Sequence, residues 1–453
     1  MTVLWTAAEI AAACHGTASG DFAVTGVAFD SREVGAGDLF VALKGGATDG
    51  HRFLPHAFAQ GGAGAIVSEA CDHPHVLVAD TILALDDLAR ASRARTAATI
   101  VGVTGSVGKT SAKEALWAAL DRGAPGRVHR SVKSYNNHTG VPLSLARMPR
   151  DSRFAVFEMG MNHAGELAQL TRLVRPHVAV ITTVAAVHME FFADEAAIAD
   201  AKAEIFQSLE PGGTAIVPFD NPHRERLIAA ARPHAGRLVT FGSADGADVR
   251  ALEVMRSDSG GSFVTARVGE RELSFTLSQP GAHWVANALA VLAAVDAAGA
   301  DLGLAGLALA ELGGLPGRGA RFRTASGALV LDESYNANPT SMRATLAVLA
   351  DEPGRHVAVL GAMAELGVDS AAYHADLAQP VLDAGVETIL LVGEAMAPLA
   401  TALEQKVNVV HVPDAAAAVA ALRDVVRSGD AVLVKGSNSV GLSRVISALG
   451  GKA

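Results

Sequence analysis

Residues 99–117, TIVGVTGSVGKTSAKEALW, join a short β-branched run to a helix-forming stretch through a loop of two glycines, a lysine and a threonine. The apolar run 99–103 predicts a buried strand and 112–120 a helix. Between them, Thr104, Gly105, Ser106, Val107 and Gly108 form a loop whose backbone amides turn inward, and the helix that follows begins with unpaired N–H groups. Lys109 adds a point charge suited to the β- and γ-phosphates of ATP, and Thr110 offers a hydroxyl to Mg²⁺. Val103 stands where the common nucleotide-loop pattern has its first glycine, so the spacing is a variant. A strand, phosphate loop and helix in this order commit the chain to an α/β fold with ligands at the carboxyl ends of parallel strands.

The length, 453 residues, suits about three domains. Half the residues are hydrophobic but only 5% are aromatic, so small aliphatics must fill the cores. The net charge of −10 disfavours a nucleic-acid surface, which needs a basic face. Anionic small substrates remain compatible where Lys and Arg gather. No uncharged apolar run reaches spanning length, and the N-terminus lacks a basic region followed by a long apolar one. A cytoplasmic protein without a membrane segment is therefore expected. Cys14 and Cys71 have no metal-type spacing and read as buried small hydrophobes.

In residues 1–83, strand-like pieces at 24–29 and 39–43 bracket a turn-rich 30–38. Ser31 and Arg32 follow the first piece and Lys44 the second. Such groups on adjacent loops suit a diphosphate and a sugar, and equally a solvated turn cluster. A helix over 82–96 puts a boundary near residue 84. In SYNNHTGVPL, Asn136 and Asn137 imply either a self-satisfied turn or a polar ligand.

Strand–loop–helix units then repeat. A strand at 154–157 ends at Glu158, and another at 178–184 precedes His188. In a doubly wound sheet Thr110, Glu158 and His188 are expected on one edge, where oxygen and imidazole ligands suit Mg²⁺. Taken singly, Glu158 also reads as a helix cap and His188 as a loop histidine. Lys202 falls on the apolar stripe Ile198, Ala201, Ile205, Leu209, where a lysine either snorkels or functions. Burial would lower its amine pKa, and a neutral amine reacts with carbon dioxide to give a carbamate. Residues 211–278 suggest a small antiparallel section without visible chemistry. The apolar helix within 279–299 carries His283 and Asn287 one turn apart; Asn287 either reads an adenine edge or packs as a helix amide. Residues 313–323, GGLPGRGARFR, read as a linker with a hinge at 313–319, and four further strand candidates follow.

Together these motifs resemble the ATP-dependent Mur ligases of bacterial cell-wall synthesis. The resemblance covers nearly the whole chain: DSR and DGH, TGSVGKTS, NNHTGVPL, FEMG, the His188 loop, AKAEIF, SYNANP and KGSNS. It implies three α/β domains: a UDP-sugar substrate domain at 1–83, a central doubly wound ATP-binding domain at 84–312, and a Rossmann-like domain at 313–453. SYNANP with FEMG points to the member that completes the peptide. The implied activity joins D-alanyl-D-alanine to UDP-N-acetylmuramoyl-tripeptide through an acyl phosphate, releasing ADP and phosphate. That is the last cytoplasmic step of peptidoglycan-precursor synthesis, on which cell shape and division depend.

By the same resemblance, Ser31, Arg32 and Lys44 hold the UDP part and Asn137 lies in a substrate loop. Asn287 and Arg318 hold adenine and phosphate. Glu158 and His188 with Thr110 hold metal, and Lys202 is carbamylated and shares a second Mg²⁺ with His188. Lys109, Lys202 and His188 carry the catalysis. Trp284 departs from a frequent Asn, Glu333 from a common Asp, and GAMAELG lacks the acidic residue often found after its first Gly. A monomer without a nucleic-acid partner is expected. Two rival readings stay open: a sister amide ligase acting on a muramoyl-dipeptide or folate-type substrate, and a non-catalytic ATP switch, which would need neither the stripe lysine nor paired metal ligands.

Overall fold

In a computed structural model describing residues 2–46, 48–257 and 260–451, the run read as a buried strand is Thr99–Thr104. It lies within a nine-stranded sheet, flanked by Phe154–Glu158 and Val178–Ile181, both parallel to it. Its side chains alternate between two apolar layers. Val101 and Val103 join Val156, Val178 and Val180 on one face, while Ile100 joins Ala155, Phe157, Ala179 and Ile181 on the other. Both faces of a parallel sheet are covered by helices, which is why these strands read as unbroken apolar runs.

Residues 211–278 are not a separate antiparallel unit. Thr214–Pro218 and Arg237–Gly242 continue the parallel sheet, and only Val249–Arg256, Ser262–Val268 and Arg271–Leu277 pair antiparallel on its far edge. The alternating pattern that suggested hairpins belongs to these last strands, where every second residue of Ser262–Val268 is buried. Helix Ala282–Ala297 is apolar almost all round because it is wedged under the sheet between helices Lys109–Gly123 and Leu302–Glu311.

The N-terminal portion holds a five-stranded sheet, ordered Thr17–Ala18, His75–Leu77, Gly64–Val67, Asp38–Val41 and Gly26–Ala28, parallel except at the first pair. Helix Thr81–Ala94 lies against helix Gly140–Ala146, and the Trp5 indole N–H donates to the Ala146 carbonyl at 2.8 Å. The C-terminal sheet has six strands, two more than the sequence suggested. Asn408–Val412 is a half-exposed edge strand without a strong apolar run. Ala320–Arg323, read as linker, pairs antiparallel with Leu329–Glu333. Its alternate arginines mark an edge strand, and the Gly-rich residues just before it hid that signal. Of the two cysteines, Cys14 is buried as expected, with its thiol pushed up to about 12 by burial, whereas Cys71 is only half-buried.

Candidate active site

The phosphate loop is held in shape from below. Thr182, just past strand Val178–Ile181, donates its N–H to the Thr104 carbonyl at 2.9 Å, and the Ser106 N–H donates to Thr183 O at 2.8 Å. Ser106 Oγ exchanges hydrogen bonds with the Ala185 backbone at 2.9 and 3.0 Å. Gly105 (φ 152°) and Gly108 (φ 88°) take conformations in which a side chain would collide: a Cβ would sit 1.9 Å from Thr182 Oγ1 at the first and 2.6 Å from Asn287 Oδ1 at the second. Gly108 caps helix Lys109–Gly123, so the positive end of the helix opens into the loop. Lys109 Nζ donates to Gly105 O at 2.7 Å; burial lowers its amine pKa, and the Glu158 charge opposes that shift.

This loop lines a cavity of about 650 Å³ between the central and C-terminal sheets. Thr110, Glu158 and His188 line it too, as do Asn287 and Arg318. Thr110 Oγ1 donates to Glu158 Oε1 at 3.1 Å, and Asn136 Nδ2 donates to the same oxygen at 2.8 Å. The other carboxylate oxygen, Oε2, is buried without a hydrogen-bond partner. It faces the Lys113 ammonium at 3.7 Å without a hydrogen bond, so its lone pairs stay open to a cation. Among the described residues, however, no three His, Cys, Asp or Glu side chains gather as a metal cage. A divalent ion here therefore has to draw ligands from the Thr110 hydroxyl, from phosphate oxygens or from a modified lysine.

Among the described residues no hydrogen bond or ion pair joins His188 to Thr110 or Glu158; its Nδ1 pairs with Glu365, carried by the C-terminal unit. Lys202, 1% exposed, does not line the cavity; it sits in the last turn of helix Glu195–Ala203. Burial, reinforced by the Lys109 ammonium, holds its amine well below the ordinary lysine range. A charge on Lys202 also acts on His188, which puts Lys109, His188 and Lys202 in one electrostatic neighbourhood.

On the opposite wall the Arg318 guanidinium stacks over Tyr335 at 4.0 Å. Lys435 donates to Asn336 O at 3.0 Å and lies 3.7 Å from Glu333. Burial lowers the Lys435 amine and raises the Glu333 carboxyl, each against the pull of the other. His283 is pushed down to about 4 by burial and by the Lys435 charge.

Ser31, Arg32, Lys44 and Asn137 do not line this cavity. Arg32 pairs with Asp30 at 2.6 Å, and Lys44 lies 3.5 Å from Glu69, both at loops past the parallel strands of the first sheet. The Asn137 side chain is taken up locally, accepting from Gly140 N at 3.0 Å and from Thr139, as a self-satisfied turn does. The two regions are linked through Glu33, next to Arg32, which accepts from Tyr135 Oη at 2.8 Å and pairs with Lys133, just before Asn136.

Sequence reading missed two site residues. Lys113 is fully buried and lies 3.0 Å from Glu114 and 3.7 Å from Glu158 Oε2, while donating to the carbonyls of Ser131 and Lys133. Its position one helical turn after Lys109 was the available signal. Glu365 sits in the quoted GAMAELG, but its partner is far away in sequence.

Three family models match the chain in order: "Mur ligase family, catalytic domain" over residues 23–97, "Mur ligase middle domain" over 103–295, and "Mur ligase, glutamate ligase domain" over 317–438. The UDP-N-acetylmuramoyl-tripeptide–D-alanyl-D-alanine ligase of Escherichia coli K12 is 37% identical over 435 residues, covering 95% of this chain and 94% of its own. A crystal structure of MurF from Acinetobacter baumannii superposes with TM-score 0.86 at 31% identity, over 98% of both chains. MurF ligase from Thermotoga maritima, solved in complex with ADP, gives TM-score 0.79 at 27% identity over 94% of this chain and 97% of that one.

Proposed function

This chain belongs to the Mur ligase family, and from that premise we propose that it joins D-alanyl-D-alanine to UDP-N-acetylmuramoyl-tripeptide at the expense of ATP. The observation that carries the reading is a single cavity bordered by the phosphate loop, the Thr110–Glu158 contact, His188 and the Arg318–Tyr335 stack. The terminal carboxylate of the peptide attacks the γ-phosphorus of ATP, the bond to ADP breaks, and an acyl phosphate forms. The amine of D-alanyl-D-alanine then attacks the acyl carbon, inorganic phosphate leaves, and the amine loses a proton as the amide forms.

Both steps concentrate negative charge, and this chain answers with fixed positive groups. Loop amides, the helix N-terminus and Lys109 meet the transferring phosphoryl group, and positioning supplies most of the remaining rate. Asn287, against Gly108, and Arg318 hold the nucleotide. Thr110 and Glu158 would hold one Mg²⁺ and His188 with a carbamylated Lys202 a second, and such ions would supply charge stabilisation at the γ-phosphate. A neutral, buried Lys202 amine is the state that takes up carbon dioxide, and the lowered pKa supports that role. Ser31, Arg32 and Lys44 face the UDP end, and Asn137 shapes the turn beside Asn136. Residues 1–83, 84–312 and 313–453 act as the substrate, ATP and closing domains of a cytoplasmic monomer.

Phosphate release with UDP-N-acetylmuramoyl-tripeptide and a panel of amines tests the assignment. Amide product with D-alanyl-D-alanine is expected. Product only when a muramoyl-dipeptide or folate substrate replaces the tripeptide would favour a sister ligase, and ATP binding with no amide would favour a switch protein.

A further inference from the structure

Six non-glycine residues have positive φ among the described residues, and two of them face each other across the cavity mouth: His188 at 56° and Glu365 at 59°. His188 follows a strand of the central sheet, and Glu365 lies in the loop after strand His356–Gly361 of the C-terminal sheet. Their loops also meet through the backbone, where the Glu190 N–H donates to the Glu365 carbonyl at 3.3 Å. Gly367 lies beside the same contact, where a Cβ would meet the Glu190 backbone at an ordinary packing distance of 3.4 Å. Two left-handed residues held opposite each other indicate that both loops are shaped for this contact.

We infer that Glu365 is a positioning residue that orients the His188 ring from the C-terminal unit. Its carboxylate accepts the Nδ1–H of His188, which selects the tautomer whose Nε2 lone pair is available to a cation. Nε2 makes no hydrogen bond with any described residue. Because donor and acceptor come from different sheets, the ring is fixed only while those sheets are seated together. The metal-binding half of the site is thereby completed by the half that closes on it. This rests on the proposed role of His188 as a metal ligand; the competing explanation is that the pair only stitches two loops.

The test is Mn²⁺ binding to the full-length protein with ADP present, read as loss of the free-ion paramagnetic signal, for wild type, Glu365→Ala and Glu365→Gln. Removing a carboxylate behind a ligating histidine costs about 10–100-fold in metal affinity. That loss is expected for Glu365→Ala, with most of the affinity retained by Glu365→Gln, whose amide oxygen still accepts the Nδ1–H. Metal-free ADP affinity should be unchanged in both. Unchanged Mn²⁺ affinity in Glu365→Ala would overturn the inference, and so would equal loss in both variants. Should Glu365→Ala fold poorly, nitrogen NMR of the histidines in wild type and Glu365→Gln decides: His188 must carry its proton on Nδ1, and the opposite tautomer refutes the role. No peptide substrate enters these measurements, so their failure is separable from failure of the ligase assignment, which the product assay on the unmodified chain reports.

Discussion

Lys202 carries the most specific chemical expectation. If a carbamate on its amine holds metal, Lys202→Ala should abolish amide formation, and added short carboxylic acids should restore part of it. Full activity in the unrescued variant would remove the carbamate role. A second expectation concerns two buried imidazoles: His129, donating to Ser144 O at 2.7 Å, and His283 are both pushed down to about 4, chiefly by burial. An unfolded histidine titrates near 6.5, so between about 4 and about 6.5 the unfolded chain binds more protons than the folded one. Stability should therefore rise with pH through that window and fall as pH drops from 6.5 towards 4. Urea midpoints at pH 5 and pH 7 check this, and His129→Gln should flatten the difference. Glu158 was legible in the sequence because it ends an apolar run. Lys113 was harder to read: its place one turn after Lys109 marks the face, but a lysine within a helix ordinarily reads as solvated, and the surrounding carbonyls and carboxylates come from the fold.

At the scale of elements, the strand, the glycine turn and the helix start at 99–123 were legible because two glycines and a helix N-terminus mark them locally, whereas the Thr182, Thr183 and Ala185 contacts that hold the turn were not. Gly108→Ala forces a left-handed backbone at a cost of about 1–2 kcal/mol and drives a methyl group towards Asn287. A loss of about tenfold in nucleotide affinity, with the melting temperature little changed, is expected from titration calorimetry. The linker was less legible. Gly317 N donates to Asp332 Oδ2 at 2.7 Å and Gly319 N to Asp332 O at 2.9 Å, so the second half of the proposed 313–319 hinge is tied to the C-terminal sheet. On the other side, Gln279 Nε2 holds the Leu312 carbonyl at 3.1 Å. A Cβ on Gly313 would meet nothing within 4 Å, whereas one on Gly314 would stand 2.1 Å from Gly319 O, which leaves residue 313 to absorb a rotation. Gly313→Pro should lower kcat while leaving ATP affinity near wild type; unchanged turnover would place the hinge elsewhere.

For the whole molecule, the repeated strand–loop–helix order was enough to foresee an α/β chain. How the strand tips meet depends on contacts between sheets that no local pattern encodes, the His188–Glu365 pair being the clearest case. Ser31, Arg32 and Lys44 lie outside the cavity that holds the phosphate loop, so the proposed UDP end and γ-phosphate end of the substrate would be held by different parts of the chain. Scattering profiles should show compaction when an ATP analogue and UDP-N-acetylmuramoyl-tripeptide are added together. The most direct measurement follows heavy oxygen placed in the terminal carboxylate of that tripeptide. Passage through an acyl phosphate requires the label to appear in the released inorganic phosphate, whereas unlabelled phosphate accompanying amide formation would contradict the proposed reaction.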